Sequence, residues 1–274
     1  MNKLVLDVGA ANGVFARHIL ENTKNVQLYI IEPNSFLNRI ALEKIVEEFP
    51  NNTKYFEIAI GSRNTEMPLY GYKIHNGQVG SLNQINQQNI NKILKSNFDA
   101  TSLNENIMVK VKSVATFIQE NQISQIDFLK IDTQGNDLDL LELFLKEVTV
   151  KCMVVEVTGN DSMESNLYLN SNNLISRVFR MADVHSLKIL KVVPNSDLSE
   201  FNVFLAHDAV EGEKILYDLQ IEKSETFGRY WKVLGIGETI NYNKDKNKNF
   251  LRKIAKGITH PRKSIKSVLI KLTR

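Results

Sequence analysis

The sequence has 274 residues, of which 43% are hydrophobic and 24% charged, and these proportions are ordinary for a globular protein. The length is enough for one large α/β domain or two small ones, and the lack of an 18-residue uncharged apolar run argues against a membrane-spanning helix. The charge is uneven, because residues 244–274 carry a net +10 and residues 1–243 a net −7.

Short apolar runs alternate with helical patterns through the first two-thirds of the chain. The sequence predicts strands at residues 4–8, 28–31, 55–60, 126–131, 153–157, 187–193 and 202–206. It predicts helices at residues 14–22, 36–49, 115–121 and 138–147. Continuous apolar runs between helices are typical of parallel strands that are covered on both faces. We therefore predict a doubly wound, mostly parallel α/β sheet.

The alternation stops between residues 63 and 107, where Gly, Asn and Gln are abundant. Irregular segments of this length inside a compact domain usually form lids or binding loops. Tyr70 and Tyr72 give the segment something to pack, so we predict a lid or substrate-binding insertion. A surface insertion without a binding role is the alternative. We divide the chain into a domain at residues 1–242, which contains this insertion, and a basic tail at residues 243–274.

The stretch DVGAANG follows the first predicted strand and places an acid and two glycines at its carboxyl end. Ligands bind at this edge of a doubly wound sheet, and glycine allows a tight turn and a close approach of the ligand. Glu32 ends the next strand, where an acid can accept both hydroxyls of a ribose. The sequence therefore predicts an adenosine-containing cofactor. The predicted cofactor-binding residues are Asp7, Gly9, Ala10, Asn12, Gly13 and Glu32.

The spacing of the glycines distinguishes between candidate cofactors. Dinucleotide-binding turns have the pattern G-x-G-x-x-G around a pyrophosphate, whereas this turn is G-x-x-x-G with an acid before it. Asp7 would repel a pyrophosphate but could receive a cationic amino group. S-adenosylmethionine, with a sulfonium, an ammonium and an unphosphorylated ribose, fits an acidic pocket better than NAD does. A strand-turn-helix junction that binds no ligand is the remaining alternative.

A second motif, LKIDTQGND, surrounds the end of the predicted strand at residues 126–131. Together with DVGAANG, IEPN, IAIGS and VGSL, in this order, it resembles the FkbM family of S-adenosylmethionine-dependent methyltransferases over residues 4–157. The resemblance implies a Rossmann-like class I methyltransferase fold. The sequence departs from the family pattern at Ala11, where Asn is frequent, and at Gln134 and Asp137, where acids are frequent.

The resemblance also implies O-methylation, commonly of a sugar hydroxyl in a glycan, glycolipid or secondary metabolite. The candidate catalytic bases are Asp132, at the end of its strand, and His75, in the predicted lid. Lys130 is expected to pair with a neighbouring carboxylate. Mg²⁺ bound by Asp132, Asp137 and Glu156 is an alternative to a side-chain base, although no spacing demands it and our assignment includes no metal.

Two rival functions stay open at this point. The first is a methyltransferase fold that has lost catalysis and serves as a binding module, which Gln134 and the short Asp137 favour. The second is an NAD-dependent sugar oxidoreductase. For the lead function, the expected partner is a small-molecule or lipid-linked sugar acceptor.

The basic tail contains apolar residues at helical spacing between residues 250 and 274, with lysines on the opposite face. A basic amphipathic helix is typical of a membrane-surface element, so we predict peripheral contact with a membrane. Docking of the tail on its own acidic domain is the alternative, and nucleic acid is not expected. The single cysteine, Cys152, and the lack of a signal-peptide pattern predict a cytoplasmic protein, and the basic tail would then contact the inner face of the membrane.

Overall fold

The computed structural model describes residues 2–74, 80–86, 89, 105–158, 168–169, 171–194 and 200–228. The strands are β1 (Lys3–Val8), β2 (Val26–Ile31), β3 (Thr53–Phe56), β4 (Ala59–Gly61), β5 (Thr65–Tyr70), β6 (Asn106–Ser113), β7 (Gln125–Ile131), β8 (Thr149–Thr158), β9 (Lys188–Pro194) and β10 (Glu200–Ala206). The helices are α1 (Val14–Asn22), α2 (Ser35–Glu48), α3 (Val114–Glu120), α4 (Asp137–Glu147), α5 (Ile175–Val184) and α6 (Ala209–Asp218). A short 3₁₀ helix follows at Ile221–Lys223.

The main sheet has seven strands in the order β3-β2-β1-β7-β8-β10-β9. Strands β3, β2, β1, β7 and β8 pair in parallel, whereas β10 is antiparallel to both β8 and β9. The predicted doubly wound, mostly parallel sheet is therefore confirmed. The strand order changes direction between β1 and β7, and ligands of such sheets bind at the carboxyl ends beside this switch point.

The helices cover both faces of the main sheet. Successive residues of a strand face opposite sides, so Val5 and Leu6 of β1 belong to separate apolar cores. The core around Leu6 contains buried side chains of α3, α4 and α5, and the core around Val5 contains those of α1, α2 and α6. Phe227 is 1% exposed and packs edge-on against Phe15, so the chain contributes to this second core up to the end of the last described range.

A second, three-stranded sheet has the order β4-β6-β5. Its presence corrects the predicted strand at residues 55–60, because the chain leaves the main sheet after Phe56 and begins β4 at Ala59. The segment at residues 63–107 is also more regular than expected at both ends, since β5 pairs antiparallel with β6. Strand β6 has the burial pattern of a half-exposed strand, and a search for continuous apolar runs does not find such strands.

Helices α5 and α6 were not predicted, whereas the four predicted helices are present within one residue at each end. Cys152 is fully buried in β8, as expected of an inert core thiol. In the part of the chain that the structure describes, no helix is long and apolar enough to cross a membrane. The basic tail at residues 243–274 lies outside the described residues, and the division of the chain at residue 242 stays a prediction.

Candidate functional site

The glycine turn between β1 and α1 lies against the end of β7. Gly9 and Gly13 have φ angles of 79° and 80°, in the left-handed region that favours glycine. A Cβ atom on Gly9 would lie 1.9 Å from the carbonyl oxygen of Asp132, and one on Gly13 would lie 2.5 Å from Cδ1 of Ile45. The glycines therefore allow close contact within the protein. The predicted tight turn is present, and the close approach of a ligand to it stays a prediction.

Ala10 and Asn12 lie at the tip of the same turn. The backbone N–H of Ala10 donates to the carbonyl oxygen of Ile31 at 3.3 Å, and the carbonyl oxygen of Ala10 accepts from the N–H of Gly13 at 2.9 Å. The Ala10 side chain is buried, while Asn12 is exposed. Of these two predicted cofactor-binding residues, only Asn12 presents its side chain to the surroundings.

Asp7 and Lys130 form a buried ion pair where β1 meets β7. The strand register places them opposite each other, and Nζ of Lys130 lies 3.0 Å from Oδ1 of Asp7. The same Nζ donates to the carbonyl oxygen of Gly9 at 3.2 Å and lies 3.5 Å from Oδ2 of Asp132. Burial lowers the pKa of Lys130, but the charges of Asp7 and Asp132 outweigh it, so the pKa is raised and Lys130 stays charged.

This ion pair changes the role expected of Asp7. Its side chain has no exposed surface, and its cationic partner is Lys130. Asp7 therefore acts on the turn through Lys130, and the oxygen that it has left for a ligand is Oδ2, which has no hydrogen-bond partner among the described residues. The expected pairing of Lys130 with a neighbouring carboxylate is confirmed.

Glu32 connects the turn with the loop after β2. Its Oε2 accepts from the N–H of Ala11 and its Oε1 from the N–H of Asn34, both at 2.8 Å. Burial raises the pKa of Glu32 to about 7, and the two backbone hydrogen bonds oppose this rise. A carboxylate has about four acceptor positions, so two remain for the hydroxyls of a ribose. Ribose binding by Glu32 stays a prediction that this geometry permits.

Asp132 belongs to a hydrogen-bonded cluster with Gln134, Glu156 and Tyr168, and the sequence does not show this arrangement. Nε2 of Gln134 donates to Oδ1 of Asp132 at 2.9 Å and to Oε2 of Glu156 at 3.2 Å. The hydroxyl of Tyr168 donates to Oε1 of Gln134 at 2.6 Å. Burial, with the nearby charge of Asp132, raises the pKa of Glu156 well above its usual value. Asp132 itself has a side chain that is 29% exposed, and it is therefore the accessible acid at the end of β7.

Asp137 has a structural role at the start of α4. One of its oxygens accepts from the N–H of Thr133 at 2.6 Å, and the other accepts from the N–H of Gly135 at 3.2 Å and from the side-chain amide of Asn173. Burial, with the charge of Asp132, raises the pKa of Asp137 to about 6. We had grouped Asp137 with Asp132 and Glu156 as an alternative Mg²⁺ ligand, but both of its oxygens already accept hydrogen bonds within the protein. In the described ranges, no group of three or more acids, histidines or cysteines is arranged to hold a metal ion.

A small cavity that opens to solvent and is lined mainly by polar residues lies next to Gln134. Its lining residues come from the loop after β7, the end of β8, the start of β10 and the segments at residues 168–169 and 171–174. They include Glu156, Thr158, Tyr168, Ser171, Asn173 and Glu200. Of these, Thr158, Tyr168, Ser171, Asn173 and Glu200 were missed because they belong to no motif. His75, the other predicted base, lies outside the described residues.

Three loops are joined around this cavity. Oγ of Ser81 donates to the carbonyl oxygen of Gln134 at 2.5 Å, and Nδ2 of Asn83 donates to Oδ1 of Asn136 at 3.1 Å. From the other side, Oγ of Ser171 donates to the carbonyl oxygen of Gly135 at 3.0 Å. Residues 80–86 of the predicted insertion are therefore attached to the loop that carries Asp132.

The residues at this edge fit a cationic ligand that contains a ribose. This edge of the sheet has one basic side chain from Lys130 and four acidic side chains, from Asp7, Glu32, Asp132 and Glu156, among the residues discussed above. Oδ2 of Asp7 also has no hydrogen-bond partner among the described residues, and a buried acceptor of this kind calls for a donor. A glycine turn with acids at the switch point of a doubly wound sheet is the arrangement with which α/β proteins commonly bind nucleosides.

The comparison with protein families identifies the class more closely. The model of the methyltransferase FkbM domain matches residues 7–185, which include every site residue discussed above except Glu200. The chain belongs to the FkbM methyltransferase family. The predicted family and the predicted Rossmann-like class I methyltransferase fold are confirmed, and the protein is an S-adenosylmethionine-dependent methyltransferase.

Solved structures with the same fold are distant. Fibrillarin from Aeropyrum pernix, in complex with S-adenosyl-L-methionine, has 11% identity and a TM-score of 0.42, and the alignment covers 75% of this chain and 66% of that one. A S-adenosylmethionine-dependent methyltransferase from Aquifex aeolicus has 12% identity and a TM-score of 0.39, with 75% and 82% covered. No curated protein matches the chain.

Proposed function

We propose that the protein transfers a methyl group from S-adenosylmethionine to a hydroxyl of a sugar in a glycan, glycolipid or secondary metabolite. The observation that supports this most directly is the position of Asp132, an accessible carboxylate between the predicted cofactor turn and the polar cavity. Its carbonyl group contacts the turn at Gly9, and its side chain contacts Gln134, which lines the cavity.

The residues divide into those that hold the ligands and one that moves a proton. S-adenosylmethionine supplies a methyl group activated by its positively charged sulfur. The acceptor oxygen forms a bond to that carbon while the carbon–sulfur bond breaks, and the products are a methyl ether and the neutral thioether. Asp132 accepts the proton of the hydroxyl, because a free sugar hydroxyl is too weak an acid to react at neutral pH. Glu32 and the turn supply positioning, which accounts for much of the rate in such displacements.

The composition of the cavity supports a hydroxyl-rich acceptor. Glu156, Thr158, Tyr168 and Ser171 present carboxylate and hydroxyl groups, which can form several hydrogen bonds to a sugar ring. A flat aromatic acceptor would offer these groups fewer additional hydrogen bonds than a sugar ring does. The acceptor proposed for this cavity is therefore a sugar, either free or linked to a lipid.

Replacement of Asp132 tests the reaction. Asp132→Asn keeps the size of the side chain and removes its charge, so we expect turnover to fall on the order of 10²-fold or more while the affinity for S-adenosylmethionine stays the same. Turnover is measured as the transfer of labelled methyl groups to a panel of glycans, and binding is measured by calorimetry. Asp139→Asn is the matched control, because Asp139 lies on the exposed side of α4 in an ion pair with Arg177. Turnover of Asp132→Asn near the wild-type value would reject the role of Asp132.

A second candidate is a methyltransferase fold that binds the cofactor without catalysis. The contact between Gln134 and Oδ1 of Asp132 favours this candidate, because it engages one of the two oxygens that a base would use. Binding of S-adenosylmethionine without methyl transfer to any glycan would support the binding module over the enzyme.

A further inference from the structure

The amide of Gln134 lies between two carboxylates. Its Nε2 is 2.9 Å from Oδ1 of Asp132 and 3.2 Å from Oε2 of Glu156, so these two oxygens lie within about 6 Å of each other. Only the NH₂ end of the amide can face two carboxylates, because it offers two N–H donors, whereas the oxygen end offers none. The hydroxyl of Tyr168 fixes this orientation by donating to Oε1 of Gln134 at 2.6 Å.

The backbone of Gln134 is held in an uncommon conformation. Its φ angle is 61°, in the left-handed region that non-glycine residues rarely adopt. The hydroxyl of Ser81 donates a hydrogen bond to the carbonyl oxygen of Gln134 at 2.5 Å, and the hydroxyl of Tyr168 donates one to its side-chain oxygen. Contacts from separate parts of the chain thus maintain the strained residue, and such strain is concentrated at functional positions.

Two acidic side chains this close together require a proton on one of them, a cation, or a hydrogen-bond donor between them, and the raised pKa of Glu156 favours its protonated form. Lys130 acts on Glu156 only through its charge, because its direct contacts are with Asp7, Asp132 and the carbonyl group of Gly9. Asp137 is not part of this group, since both of its oxygens accept backbone and amide hydrogen bonds. In the described part of the chain, the group that stands between Asp132 and Glu156 is therefore the Gln134 amide.

A carboxylate in the place of this amide would change the chemistry of the site. It would bring a third acidic side chain next to Asp132 and Glu156, and convergent carboxylate oxygens are the ligands that Mg²⁺, Ca²⁺ and Mn²⁺ prefer. The residue at position 134 thus determines whether this edge of the sheet contains two acids joined by an amide or three acids that require a cation.

We propose that Gln134 is a positioning residue that takes the place of a divalent cation, holding Asp132 and Glu156 together so that Asp132 faces the acceptor without a bound metal ion. The statement about the acceptor rests on the proposed methyl transfer. The arrangement of the three side chains does not, and it can be tested without an acceptor.

The test is a titration with Mn²⁺, in which the unbound ion is followed by electron paramagnetic resonance. The wild-type chain should bind no Mn²⁺ at this edge. Gln134→Glu should bind one equivalent with a dissociation constant of about 10⁻³ M or lower, within the range of carboxylate sites in proteins. The double variant Gln134→Glu/Glu156→Gln should bind Mn²⁺ with a dissociation constant at least about tenfold higher than that of Gln134→Glu. Gln119→Glu, which adds the same charge at an exposed position of α3, is the matched control and should gain no site.

Two results would overturn the proposal. The first is stoichiometric binding of Mn²⁺ by the wild-type chain that Asp132→Asn abolishes, because the two acids would then hold a metal ion themselves. The second is a folded Gln134→Glu variant without Mn²⁺ affinity, because the two carboxylates would then not converge on position 134. Thermal unfolding with and without Mn²⁺ establishes that the variant is folded, and a metal-dependent rise of its Tm is expected.

The role of Gln134 in turnover is tested separately. Gln134→Ala should lower kcat for methyl transfer at least about tenfold, with an unchanged dissociation constant for S-adenosylmethionine, because the orientation of Asp132 is lost while the turn is intact. An unchanged kcat would contradict the positioning role. If no acceptor is methylated by any form of the protein, the proposed function fails while the Mn²⁺ result still decides the arrangement of the side chains.

Discussion

At the scale of single residues, burial assigns different roles to acids that lie close together. Asp7 has no exposed surface and pairs with Lys130, which also contacts the carbonyl group of Gly9. Asp132 has an exposed side chain and lies next to the cavity-lining residue Gln134. We infer that the buried pair maintains the shape of the site, while the accessible acid takes part in the chemistry.

The Asp7–Lys130 pair should contribute strongly to stability when only one partner is removed. Lys130→Met leaves the carboxylate of Asp7 buried without its cation, so the free energy of unfolding should fall by about 3–5 kcal/mol. Lys146→Met removes an exposed ion pair with Glu142 and should cost less than about 1 kcal/mol. Urea unfolding of both variants gives the comparison. Equal losses of unfolding free energy in the two variants would show that the buried ion pair stabilises the fold no more than the exposed pair does.

The affinity for S-adenosylmethionine should depend on the ionisation of Glu32. Burial raises the pKa of Glu32 to about 7, and the ionised form is the better acceptor for ribose hydroxyls. The ionised fraction rises from about one-tenth at pH 6 to about nine-tenths at pH 8, so affinity should increase roughly tenfold over this range. Glu32→Gln should remove this part of the dependence. Titration of the cofactor's own amino group affects both forms equally, and identical pH profiles for the two would contradict the role of Glu32.

At the scale of elements, the sequence predicts well the parts that are buried on both sides. Strands β1, β2, β7 and β8 contain continuous apolar runs, and the predicted acids Asp7, Glu32 and Asp132 lie at the carboxyl ends of β1, β2 and β7. Strand β6 is half exposed, and the second sheet that it joins was therefore not found. Burial and exposure of a strand are set by its neighbours, which a single sequence does not specify.

The same limit applies to the candidate site. The residues of the two motifs were found because glycines and acids stand next to apolar runs. Tyr168 and Asn173 are polar residues without periodicity, and their importance depends on contacts with Gln134 and Asp137 that only the folded chain brings about. The role of Asp137 was also not predictable, because the sequence does not show whether an acid accepts backbone hydrogen bonds or faces a ligand.

The junction between the turn and β7 should tolerate no side chain at Gly9. Gly9→Ala would place a Cβ atom 1.9 Å from the carbonyl oxygen of Asp132 at a φ angle that alanine disfavours, so unfolding should become easier by about 3 kcal/mol or more. Gly61→Ala is the control, because its Cβ atom would meet only the side chain of Val111, at 2.7 Å. This substitution should lower the free energy of unfolding by about 1–3 kcal/mol. Chemical denaturation measures both. A Gly9→Ala variant as stable as wild type would show that this contact does not restrict the turn.

At the scale of the whole molecule, the uneven charge predicts a function for the tail. The net −7 of residues 1–243 and the net +10 of residues 244–274 come from the sequence alone. We propose that residues 250–274 bring the enzyme to an anionic membrane surface, where a lipid-linked sugar would be the acceptor. Each Lys or Arg near such a surface contributes about 1 kcal/mol, and the attraction is screened over roughly 10 Å at 0.1 M salt.

Co-sedimentation with anionic vesicles tests this proposal. The full chain should pellet with the vesicles at low salt and less so at high salt, whereas a chain that ends at Tyr242 should stay in solution under both conditions. If both chains pellet equally, or neither does, the tail is not a membrane anchor. Docking of the tail on the acidic domain would then be the remaining explanation, and its removal should lower the Tm.

The central claim is that the glycine turn and Glu32 bind S-adenosylmethionine, and calorimetric titration tests it most directly. The wild-type chain should bind one equivalent of S-adenosylmethionine and no NAD. Glu32→Ala removes two charge-assisted hydrogen bonds to the ribose, worth about 1.5–3 kcal/mol each, so affinity should fall on the order of 10²-fold or more. Unchanged affinity in Glu32→Ala, or binding of NAD in place of S-adenosylmethionine, would contradict the account.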